Sequence, residues 1–200
     1  MLTSFYYKND EQIDSLYAQT REFVMKGYEK HIRRKKRGNF GISVGSLLKC
    51  LGINIGDIKS GVDIEKESID KVFYELTQEQ KLAVIVKSLQ EKGKLKEIGS
   101  DSEKIPIGSY ACFEGNFTVC EDERSTGDAC ILQGLIRDRN LRIVFSRAKV
   151  EPSIMGLLSY SAGNTLISGL GILARNDPDG ILIRPIAFGS NFTNMLTKLK

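Results

Sequence analysis

Five segments in the second half of the chain combine β-branched and aromatic residues with an alternation of apolar and polar positions, which is typical of half-buried strands. Polar joints that contain glycine or proline separate most of them. The segments are residues 110–119, 129–137, 141–148, 165–175 and 181–188. Five strands within about eighty residues predict a small antiparallel β-barrel or sandwich, for which a five-stranded barrel of the OB type is one option.

Glycine and proline refine this prediction at two places. The joint between the last two strands reads NDPDG, in which Pro178 fixes its own backbone dihedral and Gly180 accepts a positive one. The last two strands are therefore predicted to pair as a hairpin. The stretch GLGILAR at 169–175 lies inside a strand pattern and lacks Gly-Lys-Ser/Thr, so it predicts close packing or a bulge rather than a phosphate loop.

The first half of the chain reads mainly as helices. A short aromatic strand is predicted at 3–7, and apolar residues then recur at helical spacing to predict one amphipathic helix over 10–31. Two more helices are predicted at 68–76 and 78–92. Between them, TQEQ has the spacing of a capping box, and Gly93 is a left-handed cap after the last helix.

The glycine-rich stretch from 38 to 64 leaves two alternatives open. It fits two short strands or a loose hairpin, whereas ISVGSLLKCLG within it also fits a short amphipathic helix. A polar linker follows at 99–104. The prediction is an α+β fold with an N-terminal strand and helices. It has a helical, glycine-rich α+β domain at 1–104 and a β-rich barrel or sandwich domain at 105–200.

A dense group of cations lies at the end of the first predicted helix. This basic run comprises Lys30, Arg33, Arg34, Lys35, Lys36 and Arg37, and Phe40 follows it. Because the run holds six of the 29 basic residues, the other 23 are balanced by 25 acidic residues, and the basic character is local. The run is either a site for phosphates or the solvated end of a helix, where the helix dipole favours cations.

No residue pattern points to catalysis. His31 is the one histidine, and neighbouring cations disfavour its protonated form, which makes it a poor general base. The acidic residues Asp177 and Asp179 lie in a hydrophilic turn, and the four cysteines form no Cys-x-x-Cys pair. We therefore predict that the protein is not an enzyme and has no catalytic residue, metal site or cofactor.

Neither secretion nor membrane insertion is predicted. The start MLTSFYYKNDEQ lacks the charged and apolar regions of a signal peptide, and no window reaches eighteen apolar residues. The sequence predicts a cytoplasmic protein with free thiols.

The opening FYYKNDEQIDSLYAQ resembles a family of uncharacterised bacterial proteins in which a short strand leads into a helix with a Ser-Leu-x-x-Gln step. The matching residues are Tyr7, Asp10, Ile13, Ser15, Leu16 and Gln19. Lys8 stands where an acidic residue is expected. The resemblance implies a bacterial or phage cytoplasmic protein and carries no activity with it.

The basic run, beside the flexible Gly38 and the ring of Phe40, favours an accessory protein that binds nucleic acid or another polyanion. Six barrel arginines extend this surface if their side chains share a face. They are Arg137, Arg139, Arg142, Arg147, Arg175 and Arg184.

Two alternatives use other features. Glycines in the predicted strands allow the close approach of a small ligand or a partner chain, which fits a ligand-sensing or protein-interaction module. A polybasic run before the apolar stretch 40–55 fits a peripheral protein at an anionic membrane surface. The apolar stripe of the first helix and the long final strands also predict a homo-oligomer.

Overall fold

The computed structural model describes residues 4–35, 48–49, 51–53, 76–99, 105–120, 128–136, 139–150, 152–160, 165–190 and 192. The helix predicted at 68–76, most of the 38–64 stretch and residues 100–104 of the predicted linker lie outside these ranges. Two compact units make up the chain. One contains Met1–Asn9 and Gly93–Asn194, and the other contains Asp10–Lys92 and Met195–Lys200.

The elements of the described residues follow in chain order. The strands are β1 (Ser4–Lys8), β2 (Leu95–Glu97), β3 (Tyr110–Cys120), β4 (Ala129–Ile136), β5 (Arg139–Ser146), β6 (Thr165–Asp177) and β7 (Gly180–Ser190). The helices are α1 (Asp10–Ala18), α2 (Arg21–Lys35), α3 (Gln78–Glu91) and α4 (Pro152–Tyr160), and a 3₁₀ turn spans Arg147–Lys149. The α+β class is confirmed. The six predicted strands begin and end close to their predicted positions, whereas the short strand β2 was not predicted.

Five strands close into a barrel. Around it, β3 pairs with β4, β4 with β5, β5 with β7, β7 with β6, and β6 again with β3. These pairs are antiparallel except β5 with β7, which is parallel. The strand order β3–β4–β5–β7–β6, closed by β6 on β3, is that of a five-stranded Greek-key barrel of the OB type, the option named from the sequence, and α4 lies between β5 and β6 in the chain.

The N-terminal strand belongs to the barrel unit. β1 pairs antiparallel with β7, and Tyr7 on β1 lies opposite Phe188. The rings of Tyr7 and Phe188 stack with centroids 5.3 Å apart, and the ring of Phe145 meets Phe188 edge-on at 5.1 Å. The observed unit thus takes residues 1–9 and 93–104 into the β-rich part, which differs from the predicted division at residue 104.

Two glycines of β6 lie where strands approach closely. A Cβ atom at Gly169 would stand 2.5 Å from the carbonyl oxygen of Ala187, and one at Gly171 would clash with a methyl of Ile183. The β6–β7 register also shifts between Leu170 and Gly171. The predicted role of this stretch in close packing and a bulge is confirmed.

The predicted turn between the last two strands is also present. The carboxylate oxygen Oδ1 of Asp177 accepts hydrogen bonds from the backbone N–H groups of Asp179 (3.1 Å) and Gly180 (3.2 Å). Gly180 has a φ of +147°, a backbone angle that is unfavourable for residues with a side chain. β6 and β7 therefore form the expected hairpin.

The single helix predicted over 10–31 is wrong, because the structure has two helices there. α1 ends at Ala18, and α2 begins at Arg21. The hydroxyl of Thr20 donates to the carbonyl oxygen of Tyr17 at 2.7 Å, and its own carbonyl accepts the N–H of Val24. Thr20 thus offers the backbone a local hydrogen bond that competes with a continuous helix.

The helix α3 is capped as predicted. The side chain of Thr77 accepts from the N–H of Gln80, and the side chain of Gln80 accepts from the N–H of Thr77. Gly93 follows with a φ of +65°. The five consecutive residues from Leu82 to Val86 are buried, so α3 is enclosed on several sides.

One helix was not predicted. The joint between the third and fourth predicted strands contains α4, which begins at Pro152. Proline is favoured at the first helical position, where its missing N–H costs nothing. Leu158 is buried in the barrel core, and Ile154 and Met155 pack against that core, so α4 covers one part of it.

Candidate polyanion-binding residues

The basic run falls at the end of α2. This helix continues to Lys35, so Lys30, Arg33, Arg34 and Lys35 belong to its last two turns by their backbone. Positions three and four apart are neighbours on a helix, and cations are stabilised near its C-terminal end. Lys36, Arg37 and Phe40 lie outside the described residues, so the structure brings four of the seven predicted residues into one element.

An ion pair occupies the helix just before the run. Lys26 Nζ lies 2.7 Å from Glu22 Oε1, and both side chains are exposed. The hydrogen bond between them lowers the pKa of Glu22 and raises the pKa of Lys26. Lys26 is therefore already paired and adds little to the charge of the basic run.

The barrel arginines do not all share one face. Arg139 donates from Nη2 to Asn176 Oδ1 at 3.0 Å and to the carbonyl oxygen of Asp177 at 2.7 Å, so it ties the β6–β7 turn to β5. Arg147 lies beside the buried thiol of Cys130. Burial raises the pKa of this thiol, and Arg147 opposes that rise. These two arginines have structural roles, and Arg137 lies outside the described residues.

The other three arginines lie around Leu182 on the outside of the barrel. Leu182 pairs with Arg142 on β5 and with Arg175 on β6. Its neighbours Ile181 and Ile183 are buried in the core, so Leu182 and the residues paired with it point outward. Arg184 lies two residues after Leu182 on β7 and therefore points to the same face. Strand register thus collects Arg142, Arg175 and Arg184 into one patch, which we call the arginine patch.

The three guanidinium groups differ in their pairing. Arg175 Nε lies 3.0 Å from Asp177 Oδ2, in an ion pair that is about half exposed. Arg142 and Arg184 are exposed. Within the described part of the chain, no hydrogen bond or ion pair engages the side chain of Arg142 or Arg184. Two cations of the patch are therefore available to a ligand.

A ring and apolar side chains border the arginine patch. Arg184 pairs with Ile172 on β6, and Ile172 pairs with Tyr110 on β3. These three residues form one row across neighbouring strands, and Tyr110 and Ile172 are half-buried. Ile107, which is 66% exposed, precedes the point where Gly108 bonds to Leu173.

The outward face of β3, β4 and β5 has a different character. Besides Arg142, it presents the acidic Glu114, the polar Asn116, Thr118, Gln133 and Asn140, and Leu135, which is 66% exposed. Thr118 donates from its hydroxyl to the carbonyl oxygen of Gln133 at 3.2 Å. Apart from Arg142, the described strands place no cation on this face, so the arginine patch is a local feature of the barrel surface.

Asp128 and Cys112 act within the fold. Asp128 accepts from the hydroxyl of Ser146 and, at 2.8 Å, from the N–H of Ala148, and these bonds lower the pKa of Asp128. Burial raises the pKa of the Cys112 thiol to about 12, which keeps it protonated and unreactive. Within the ranges given above, no group of three or more His, Cys, Asp or Glu residues is placed to hold a metal ion.

Tyr110 and Leu182 were not identified as site residues from the sequence. Both lie in predicted strands, but their place beside the arginines depends on the pairing of β5 with β7 and of β3 with β6. The alternation of each strand marks their outward direction. Only the register shows which outward residues are neighbours.

Neither a protein-family model nor a curated protein matches this sequence. Among solved structures, 47% of this chain aligns with a chain described as an aspartyl-tRNA synthetase from Leishmania major Friedlin, at 8% identity and a TM-score of 0.34. The aligned part is 20% of that protein, so this chain spans well under two thirds of its length. A similarity at this TM-score carries no argument about fold or function. None of the helices in the described residues is long and apolar enough to cross a membrane.

Proposed function

We propose that the protein binds a polyanion, nucleic acid first among them, through the basic run, and that it does so as a binding protein rather than an enzyme. The observation that carries the proposal is the extent of α2. Because this helix continues to Lys35, the backbones of Lys30, Arg33, Arg34 and Lys35 belong to one helix. Cations on one helix have less backbone freedom to lose than cations on an unstructured chain, which lowers the entropic cost of holding several phosphates at once.

The competing explanation is that the cations only stabilise the end of the helix. Each favourably placed cation there stabilises a helix by about 0.3–1 kcal/mol, and the effect is confined to the last turn. Six cations in eight residues exceed what one helix end can use, and they repel one another when no anion is present. A bound polyanion removes that repulsion, which supports the binding function.

The test replaces Arg33, Arg34, Lys35 and Lys36 with serine and measures nucleic-acid affinity across a salt series. Each lost phosphate contact should flatten the plot of log affinity against log salt by about 0.7 for a single strand or 0.9 for a duplex. Four lost contacts would flatten the single-strand plot by about 2.8. Circular dichroism checks that the variant keeps its helices.

A matched control removes the same charge elsewhere. Lys49, Lys92, Lys94 and Lys149 are exposed, and their replacement with serine lowers the net charge equally. The control should keep the salt slope of the wild type. An equal change of the salt slope in both variants would show that net charge alone causes it. Binding of the wild type to anionic vesicles but not to nucleic acid would overturn the proposal in favour of a membrane surface.

A further inference from the structure

The barrel carries cations that the fold itself does not use. Arg139, Arg147 and Arg175 each engage a neighbouring group of the barrel, as described above. In contrast, Arg142 and Arg184 project from the sheet and make no bond within the described residues. Exposed unpaired arginines contribute little to folding, so these two are free to serve a ligand.

The register fixes the spacing of these cations. Arg142 and Arg175 lie on either side of Leu182, so their Cα atoms are separated by two strand spacings, about 9.6 Å. Arg184 lies two residues along β7 from Leu182, a rise of about 6.6 Å. Arg142 and Arg184 are thus diagonal neighbours on adjacent strands, and a flexible chain of phosphates can contact both.

The row of Arg184, Ile172 and Tyr110 adds a surface for a base. Two strand spacings separate Tyr110 from Arg184, and the side chain of Ile172 lies between them. Proteins that bind single-stranded nucleic acid combine aromatic rings with nearby cations. The bases stack on the rings, and the phosphates contact the positive charges. In a duplex the bases are stacked on one another inside the helix, so they cannot stack on the tyrosine ring.

We infer that the arginine patch is a binding site for single-stranded nucleic acid, in which Arg142 and Arg184 hold phosphates and Tyr110 stacks one base. The inference rests on the proposed polyanion binding for the class of ligand. It concerns different residues, so the two proposals are tested separately. The Arg175–Asp177 pair forms one border of the site, where the negative carboxylate of Asp177 disfavours a phosphate.

The test compares Arg142→Gln/Arg184→Gln with the wild type, using a labelled oligothymidylate and full-length protein. Two lost phosphate contacts should flatten the salt slope by about 1.4. When the salt concentration rises from about 50 to 200 mM, the fold loss of affinity should therefore be about seven times smaller in the variant than in the wild type. The Arg142→Lys/Arg184→Lys variant retains both charges and should retain the slope.

Tyr110 gives an independent readout. Tyr110→Leu removes the ring but keeps an apolar side chain, and it should weaken binding about 5- to 150-fold with no change in the salt slope. Tyr110→Phe keeps the ring and should bind like the wild type. Unchanged affinity in Tyr110→Leu would overturn the stacking role.

The controls separate the two proposals. Lys49→Gln/Lys92→Gln lowers the net charge by the same amount at exposed positions of the other unit and should leave the slope unchanged. If the α2 variant flattens the slope while Arg142→Gln/Arg184→Gln does not, the barrel site is wrong and the basic run stands. The reverse result supports the barrel site alone. A wild-type protein that binds duplex as tightly as single strand at every salt concentration overturns the single-strand assignment.

Discussion

The barrel and the helical unit bury their residues in different ways. In the barrel, the rings of Tyr7, Phe145 and Phe188 come from three strands and meet with centroids 5.1–5.6 Å apart. In the helical unit, α3 buries mainly aliphatic residues. On the surface, an ion pair between Asp14 and Lys81 joins α1 to α3. Pairing between distant strands therefore brings the residues of the barrel core together. In the helical unit, helix caps and surface ion pairs make smaller contributions to the free energy of unfolding.

The largest effect that this comparison predicts is at the centre of the barrel. Phe188 is fully buried and stacks on Tyr7, so Phe188→Ala should lower the free energy of unfolding by about 3–5 kcal/mol. Urea denaturation followed by circular dichroism measures the change. Leu135→Ala is the control, because Leu135 is exposed and its loss should cost no more than about 0.5 kcal/mol. Equal losses in the two variants would contradict the assignment of the core.

A smaller effect is expected where two barrel strands approach closely. In Gly169→Ala, the new methyl would stand 2.5 Å from the Ala187 carbonyl oxygen and 2.6 Å from the ring of Phe113. Overpacking of this kind should cost about 1–3 kcal/mol. Thermal unfolding of both this variant and Gly156→Ala tests the point.

Gly156 is the matched glycine. It lies inside α4, and a Cβ atom there would have nothing within 4 Å. Gly156→Ala should therefore stabilise the protein by about 0.5–1 kcal/mol, since alanine is the better helix former. A loss of stability in Gly156→Ala would show that α4 packs more tightly than the structure describes.

The helical unit should respond more weakly, at its caps. Thr77→Ala removes the side-chain acceptor for the N–H of Gln80 and should cost about 1 kcal/mol. Thr77→Ser keeps a hydroxyl in place and should stay within a few tenths of a kcal/mol of the wild type. If Thr77→Ala cost as much as Phe188→Ala, the contrast between the two units would fail.

The strands were predictable because each carries its own alternation. β6 and β7 were placed to within two residues, and the turn at Pro178 was placed by its own chemistry. Helix boundaries depended on single bonds that periodicity does not show. The apolar spacing runs through Thr20 without a break, although the hydroxyl of Thr20 ends α1 by bonding to Tyr17.

The candidate site divides in the same way. The basic run is visible in the sequence because its cations are consecutive or nearly so. The arginine patch is not, because Arg142 and Arg184 are 42 positions apart and meet only through the parallel pairing of β5 with β7. Pairing between distant strands is set by the whole barrel, so no local pattern predicts it.

The smallest predicted effect is on the surface of the helical unit. Asp14 Oδ1 lies 2.6 Å from Lys81 Nζ and accepts a second hydrogen bond from Gln78 Nε2 at 3.2 Å. The bond to Lys81 is the main cause that lowers the pKa of Asp14 below its ordinary value of 3.8. Because the Asp14 side chain is half exposed, Asp14→Asn should cost only about 0.2–1 kcal/mol at pH 7.

The pH dependence of that cost identifies its source. A carboxyl whose pKa is lowered by folding stabilises the protein at pH values above its unfolded pKa, and this stabilisation is lost as the pH falls through the folded pKa. The difference in unfolding free energy between wild type and Asp14→Asn should therefore be constant near neutral pH and shrink to zero as the pH falls below 3.8. Urea denaturation at a series of pH values measures it. A difference that persists in acid would mean that Asp14 stabilises α1 and α3 by packing rather than by its charge.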